Sequence, residues 1–128
     1  MNPEAAWAFI VERYAAPGRA EALLHEQERS GLDIVLHLFM EYLREREGRA
    51  VDDTLVAEAA AAVAAWRAQV ITPLRSVRRL LKEAEAQLGA PAQPAEELRG
   101  IVKGAELRSE RIELEMLCRW WGRRAAAA

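Results

Sequence analysis

Three polar side chains in the apolar segment that begins at Ile34 have the spacing needed to do chemistry together. His37, Glu41 and Arg44 are separated by four and three residues, which places them on one face of an α-helix. A histidine beside a carboxylate could act as a general acid or base, or supply two metal ligands. A zinc site needs a third ligand, and the sequence has neither a His-Glu-x-x-His motif nor paired cysteines. We therefore predict a hydrogen-bonded strip, with a small-molecule or enzymatic pocket around His37 and Glu41 as the alternative.

Motifs for nucleotide or covalent chemistry are absent from the sequence. No Gly-x-x-x-x-Gly-Lys loop and no Gly-x-Gly-x-x-Gly turn occurs, so phosphate cradling and dinucleotide binding have no support. The single cysteine, Cys118, lies in no nucleophile motif and cannot form an internal disulfide, which favours a reducing compartment. We predict a protein that is not an enzyme and has no catalytic, metal-binding or cofactor-binding residue.

A second chemical feature is the basic segment from Trp66 to Lys82, which carries five cations and no acid in a chain of net charge −2. After Pro73, counting 100° per residue places apolar and basic residues on opposite sides of one helix. Arginine suits carboxylates and phosphates because its guanidinium is a fork of donors. The segment therefore predicts a site that binds an acidic protein surface. The candidate binding residues are Arg67, Arg75, Arg78, Arg79 and Lys82.

Two alternatives to a protein partner follow from the same residues. Glu106, Glu110 and Glu113 form a stripe on the last helix, so the bases could pair with acids of the same chain, and most charge runs are solvated or paired faces. Nucleic acid or phosphate is the other alternative. It is disfavoured because the chain is not basic overall and aromatic residues do not alternate with the bases. The leading hypothesis is an interaction or regulatory module that docks an acidic partner.

The last helix has a second apolar edge on the side opposite its first. One helix seldom buries two opposite faces in a small bundle unless another element covers the second. Either the N-terminal helix covers this edge, or it forms a homodimer seam, where tryptophan is common. The candidate self-association residues are Leu107, Leu114, Leu117 and Trp121.

Helices must position all these residues. The sequence is rich in alanine and lacks alternating β-branched runs, which favours helix throughout. Asn2-Pro3 and Asp33 are typical helix starts, and Gly18, Gly31 and Gly48 are typical helix ends. The apolar circumference of the helix after Asp33 indicates a central position. We predict a single all-α domain over residues 1–128, a bundle of five to six helices.

Three features interrupt this bundle. Pro73 lies inside the long segment from Leu55 to Leu88, where it must kink or restart the helix. Residues 89–94, with two prolines and a glycine, predict a short linker. Residues 125–128 are alanines and are expected to form a frayed tail. No basic-apolar leader and no apolar run of about 20 residues is seen, which predicts a cytoplasmic protein without a membrane segment.

The layout resembles an uncharacterised family of small all-helical bacterial proteins, a domain of unknown function. The most specific part is the pattern W-R-x-x-V-x-x-P-L-R-x-x-R-R-x-L-K over residues 66–82. The other matching parts are Trp7 with Tyr14, Gly31-Leu32-Asp33, and the glutamate-rich stretch from Val102 to Glu113. The resemblance covers residues 7 to 117. It implies a bacterial helical domain and no particular activity.

Overall fold

The computed structural model describes residues 1–127, of which about 85% are helical, and no strand occurs among them. The prediction of an all-α fold is therefore confirmed. The helices, in chain order, are α1 (Pro3–Tyr14), α2 (Arg19–Ser30), α3 (Ile34–Arg46), α4 (Asp53–Trp66), a π-helical segment (Arg67–Ile71), α5 (Thr72–Lys82), α6 (Ala84–Leu88) and α7 (Ala92–Ala127).

Local sequence sets the first helix boundaries. The Asn2 side chain accepts hydrogen bonds from the backbone N–H groups of Glu4 (2.9 Å) and Ala5 (3.4 Å), which satisfies donors that have no partner inside the helix. Asp33 does the same for Leu36 at the start of α3, at 3.1 Å. Gly31 ends α2 with φ of 74°, a left-handed conformation that other residues adopt at a cost.

The chain divides into two compact units. The core unit contains residues 1–63 and the chain from Glu113 onwards, and the hairpin unit contains residues 64–112. The core unit is built around α3, of which seven side chains are buried. Phe39, Leu38 and Leu43 are fully enclosed, and Phe9 of α1 meets Tyr42 edge to face with ring centroids 5.3 Å apart. The central position predicted for this helix is confirmed.

Pro73 does not restart the helix; a π-helical segment precedes it. The Thr72 N–H donates to the carbonyl of Arg67, five residues earlier. A proline lacks the N–H that an α-helix needs, and its ring collides with the preceding turn. One wider turn makes room for the ring, so helical structure continues into α5 without a side-chain cap.

The predicted linker over residues 89–94 is too long. The non-helical stretch ends at Pro91, and α7 begins at Ala92 with Pro94 in its first turn. Proline is tolerated there because the first N–H groups of a helix have no intrahelical acceptor. Of the predicted tail, residues 125–127 belong to α7, whereas Ala128 lies outside the residues described.

The stretch Asp53–Lys82 is long and apolar enough, by length and composition, to cross a membrane. Its mean hydropathy of 1.2 comes from a window that is 22% buried and consists largely of alanine. Composition alone is weak evidence, since helices of many proteins reach this value. The stretch also contains the cations of the basic segment.

Candidate functional site

The hairpin unit brings the basic segment against the glutamates of α7. Trp66 donates its indole N–H to the backbone carbonyl of Ser109 at 2.9 Å. Farther along the chain, Arg75 lies 3.6 Å from Glu110 and Arg78 contacts Glu106. Within α5, Arg75 reaches both Glu110 and Glu106 whereas Arg78 reaches Glu106, so partners on α7 have lower numbers as numbers on α5 rise. The two segments run antiparallel, which places the side chains of one opposite those of the other.

Glu106 is the centre of this contact. Its carboxylate accepts a hydrogen bond from Arg75 Nε at 3.1 Å and bonds from Arg78 Nε and Nη2, the latter at 3.3 Å. Glu106 itself is buried, and the side chains of Arg75 and Arg78 are 12% and 23% exposed. Two guanidinium groups sharing one buried carboxylate form a compact ionic cluster.

The pKa shifts of Glu106 and Arg78 both favour the charged form of the group. Burial raises the pKa of Glu106, but the hydrogen bonds and charges of Arg78 and Arg75 outweigh this effect and leave the pKa below its ordinary value. The hydrogen bond that Arg78 donates to Glu106 raises the pKa of the Arg78 guanidinium, although desolvation opposes this effect. Glu106 is therefore ionised at neutral pH.

The prediction that Arg75 and Arg78 face an external partner is wrong. The alternative, pairing with Glu106 and Glu110 of the same chain, is what the structure shows. Arg67 is half-buried and is also engaged by another residue of the chain. Glu113, the third member of the predicted glutamate stripe, is fully buried and belongs to the core unit.

Arg79 and Lys82 are the two members of the predicted basic site that remain exposed. Neither has a carboxylate within 4.0 Å among residues 1–127. Arg79 lies about 100° around α5 from Arg78, on the part of the helix that turns away from Glu106. These two cations are therefore available to an outside group.

The apolar side of α5 is largely exposed, and Leu80 is 43% exposed. Of the six apolar residues on this side only Ala84 is buried; the six are Leu74, Val77, Leu80, Leu81, Ala84 and Leu88. On α7, Ile101 is 69% exposed. The separation of apolar and basic residues around α5 is real, but the arginines occupy the inner side.

The exposed apolar residues of the two helices lie on the same side of the hairpin. Measured from Arg78, Val77 lies at about −100° around α5; measured from Glu106, Ile101 lies at about −140° around α7. In an antiparallel pair the same sense of rotation leads to the same side. We call this surface the apolar face; its members are Val77, Leu80, Leu98 and Ile101.

The predicted self-association edge is buried. Leu114 and Leu117 are fully enclosed and Trp121 is nearly so; they belong to the core cluster that also contains Phe9 and Ile10 of α1. The homodimer seam predicted at these three residues is therefore wrong, because none of them is accessible to a second molecule. Only Leu107 of this set, in the hairpin unit, is exposed, at 56%.

The polar strip predicted on α3 forms in part: Glu41 contacts His37, whereas Arg44 has no carboxylate within 4.0 Å among residues 1–127. Glu41 binds Arg19, lies 3.5 Å from His37 Nε2, and lies 3.8 Å from Arg13. The carboxylate of Glu41 is therefore occupied by side chains of the same chain. His37 lines an open cavity, whereas Glu41 does not. Among residues 1–127, no group of three or more His, Cys, Asp or Glu side chains is placed to hold a metal.

Cys118 is expected to be unreactive in the folded protein. Burial raises the pKa of its thiol to about 11, so only roughly one molecule in a thousand carries the thiolate at pH 8. Iodoacetamide labelling at that pH, followed by mass spectrometry, should show slow modification of native protein and rapid modification in denaturant. Native labelling at the rate of a free cysteine would contradict the burial of this residue.

Comparison with known families gives a match that covers most of the chain. The model of the family described as "Protein of unknown function (DUF2390)" matches residues 5–117. This agrees with the resemblance to an uncharacterised family inferred from the sequence. No curated protein and no solved structure matches the chain.

Proposed function

Because the chain belongs to the DUF2390 family of proteins of unknown function, we propose its role from the hairpin unit: a non-enzymatic interaction module. The hairpin docks an amphipathic helix that has an acidic edge and belongs to a partner protein. The observation that supports this most directly is the apolar face, where large aliphatic side chains are exposed.

Neighbouring aliphatic side chains that are exposed to solvent indicate an interaction site. Single exposed leucines are common on soluble proteins, but neighbouring ones on two packed helices form a patch, and patches mark interaction sites. Two parallel rows of aliphatic side chains also suit a helix whose own apolar residues recur every three or four positions.

The net charge of the hairpin unit indicates which kind of partner helix it attracts. The hairpin unit contains nine Lys and Arg residues and six glutamates, so it attracts an acidic partner. Arg79 lies about 100° from Leu80 around α5 and has no carboxylate nearby within the described chain. It also lies about 160° from Val77, on the side of the hairpin opposite the apolar face, so the preference for an acidic partner depends on the net positive charge of the hairpin unit.

We expect partner binding to depend on the apolar face. The tagged protein would be used to capture partners from lysate of the source cells, and any partner identified by mass spectrometry would be purified and titrated by calorimetry. The double variant Leu80→Glu with Ile101→Glu should lose binding, and binding by the unmodified protein should weaken as the salt concentration rises.

Leu107→Glu is the matched control, because Leu107 is comparably exposed on α7 but lies at about +100° from Glu106, on the other side of the hairpin. Equal loss of binding in the control, or full binding by the double variant, would exclude the apolar face as the site. So would a partner whose bound segment is neither helical nor acidic.

A homodimer and a nucleic-acid-binding protein would give results different from those expected for a helical partner. A dimer through the apolar face would double the mass of 14.3 kDa in light scattering, and Leu80→Glu would restore the monomer. Binding of nucleic acid would appear in a low-salt gel and vanish as salt increases. Either result, without an acidic helical partner, would replace the proposed function. The cytoplasmic location stays a prediction.

A further inference from the structure

An open cavity of about 160 Å³ lies along α3 in the core unit. Four of its seven lining residues are apolar, and the polar ones are Asp33, His37 and Arg44. Leu36, Met40 and Arg44 follow one another every four residues along the helix, so they line one side in that order. The lining residues are Leu32, Asp33, Leu36, His37, Met40, Arg44 and Val56.

Arg44 supplies a free positive charge at one end of this cavity. Its guanidinium has no carboxylate within 4.0 Å among residues 1–127. The neighbouring acids on α3 have other partners: Glu41 is engaged by Arg19 and Arg13, and Glu45 by Arg13. Asp33 lies eleven residues away, about 16 Å along the helix axis, and its Oδ1 accepts the N–H of Leu36.

We propose that this cavity binds a small carboxylate with a compact apolar body. The carboxylate pairs with the Arg44 guanidinium, whose donors match its two oxygens. The apolar body lies against Leu36, Met40 and Val56. The volume sets the size, because a cavity of about 150 Å³ holds one benzene ring, so a single ring or a branched chain of five or six carbons fits.

This site is independent of the docking function of the hairpin unit. Every residue that lines the cavity belongs to the core unit. The apolar wall and the unpaired guanidinium of Arg44 at its end together indicate the class of ligand. A neutral ligand would leave the guanidinium unused, and an ammonium group would be repelled by it.

The methyl group of Met40 can report ligand binding in the cavity by NMR. It has three methionines: Met40 lines the cavity, whereas Met1 and Met116 do not. With ¹³C-methyl methionine labelling, benzoate should shift the Met40 methyl signal saturably at millimolar concentration and leave Met116 unchanged. Benzyl alcohol has the same ring without the charge, and should bind at least about tenfold more weakly.

Two variants separate the charge from the cavity. Arg44→Gln should weaken benzoate at least about tenfold and leave benzyl alcohol unaffected. Arg123→Gln, a change at an exposed arginine of α7 outside the cavity, should leave both unaffected. Unsaturated or absent Met40 shifts, equal affinity for the two probes, or benzoate binding that survives Arg44→Gln would each overturn the proposal. None of these results bears on capture by the apolar face.

Discussion

The variant Glu106→Gln is expected to lose about 3 kcal/mol of folding free energy at neutral pH. The glutamate is buried and accepts hydrogen bonds from Arg75 and Arg78. Removing one member of a buried ionic cluster leaves the remaining charges uncompensated and close to one another. Equilibrium unfolding in urea, monitored by circular dichroism, measures the effect.

The pH dependence of this loss has a definite sign. The pKa of Glu106 is lowered in the folded protein, so the group stabilises the fold at pH values above its unfolded pKa. The contribution disappears as pH falls through the lowered folded value. The free-energy gap between wild type and Glu106→Gln should therefore be greatest near neutrality and close in acid. A gap that is constant with pH would show that lost packing, and not the ionic cluster, is responsible.

Two further variants test the origin of the effect. Glu96 forms an exposed pair with Arg99 on the same helix, and Glu96→Gln should have little effect because solvent screens exposed pairs. Replacing Arg75, Arg78 and Glu106 together by leucine or methionine should recover much of the stability lost in Glu106→Gln, since an apolar cluster has no unpaired charge to bury. A triple variant that is less stable than Glu106→Gln would contradict this account.

The second large effect is expected at the edge that sequence analysis assigned to self-association. Leu117→Ala should destabilise the core unit by about 3 kcal/mol, because Leu117 is fully buried and alanine leaves a cavity. Light scattering of this variant should show an unchanged molar mass. If Leu117 lined a dimer seam instead, the substitution would dissociate a dimer and leave the monomer as stable as before.

Leu107→Ala is the control for this prediction. Leu107 belongs to the same predicted edge, ten residues earlier on α7, but it is 56% exposed. Its truncation removes little buried area, so the unfolding midpoint should hardly move. A large loss of stability from Leu107→Ala would mean that this residue is covered in solution.

Local sequence was sufficient for most of the helices. The spacing of apolar residues, the caps at Asn2 and Asp33 and the glycine at Gly31 are local features, and each predicted its boundary because a helix end is satisfied by neighbours in sequence. The residues next to Pro73 did not determine how the helix accommodates the proline ring. Kinking, restarting and a π-helical turn all accommodate the ring, and the surrounding packing selects among them.

What the sequence determined by itself is which residues share a side of each helix. It separated the cations of α5 from its leucines, and it placed the two apolar edges of α7 apart. Only the tertiary structure decided which side faces inward, because that choice depends on the partner helix. Glu106 offers a buried carboxylate that Arg75 and Arg78 can share, and the aliphatic side of α5 is left in solvent. The physical reason is that a helical period fixes relative angles, whereas burial depends on residues that are distant in sequence.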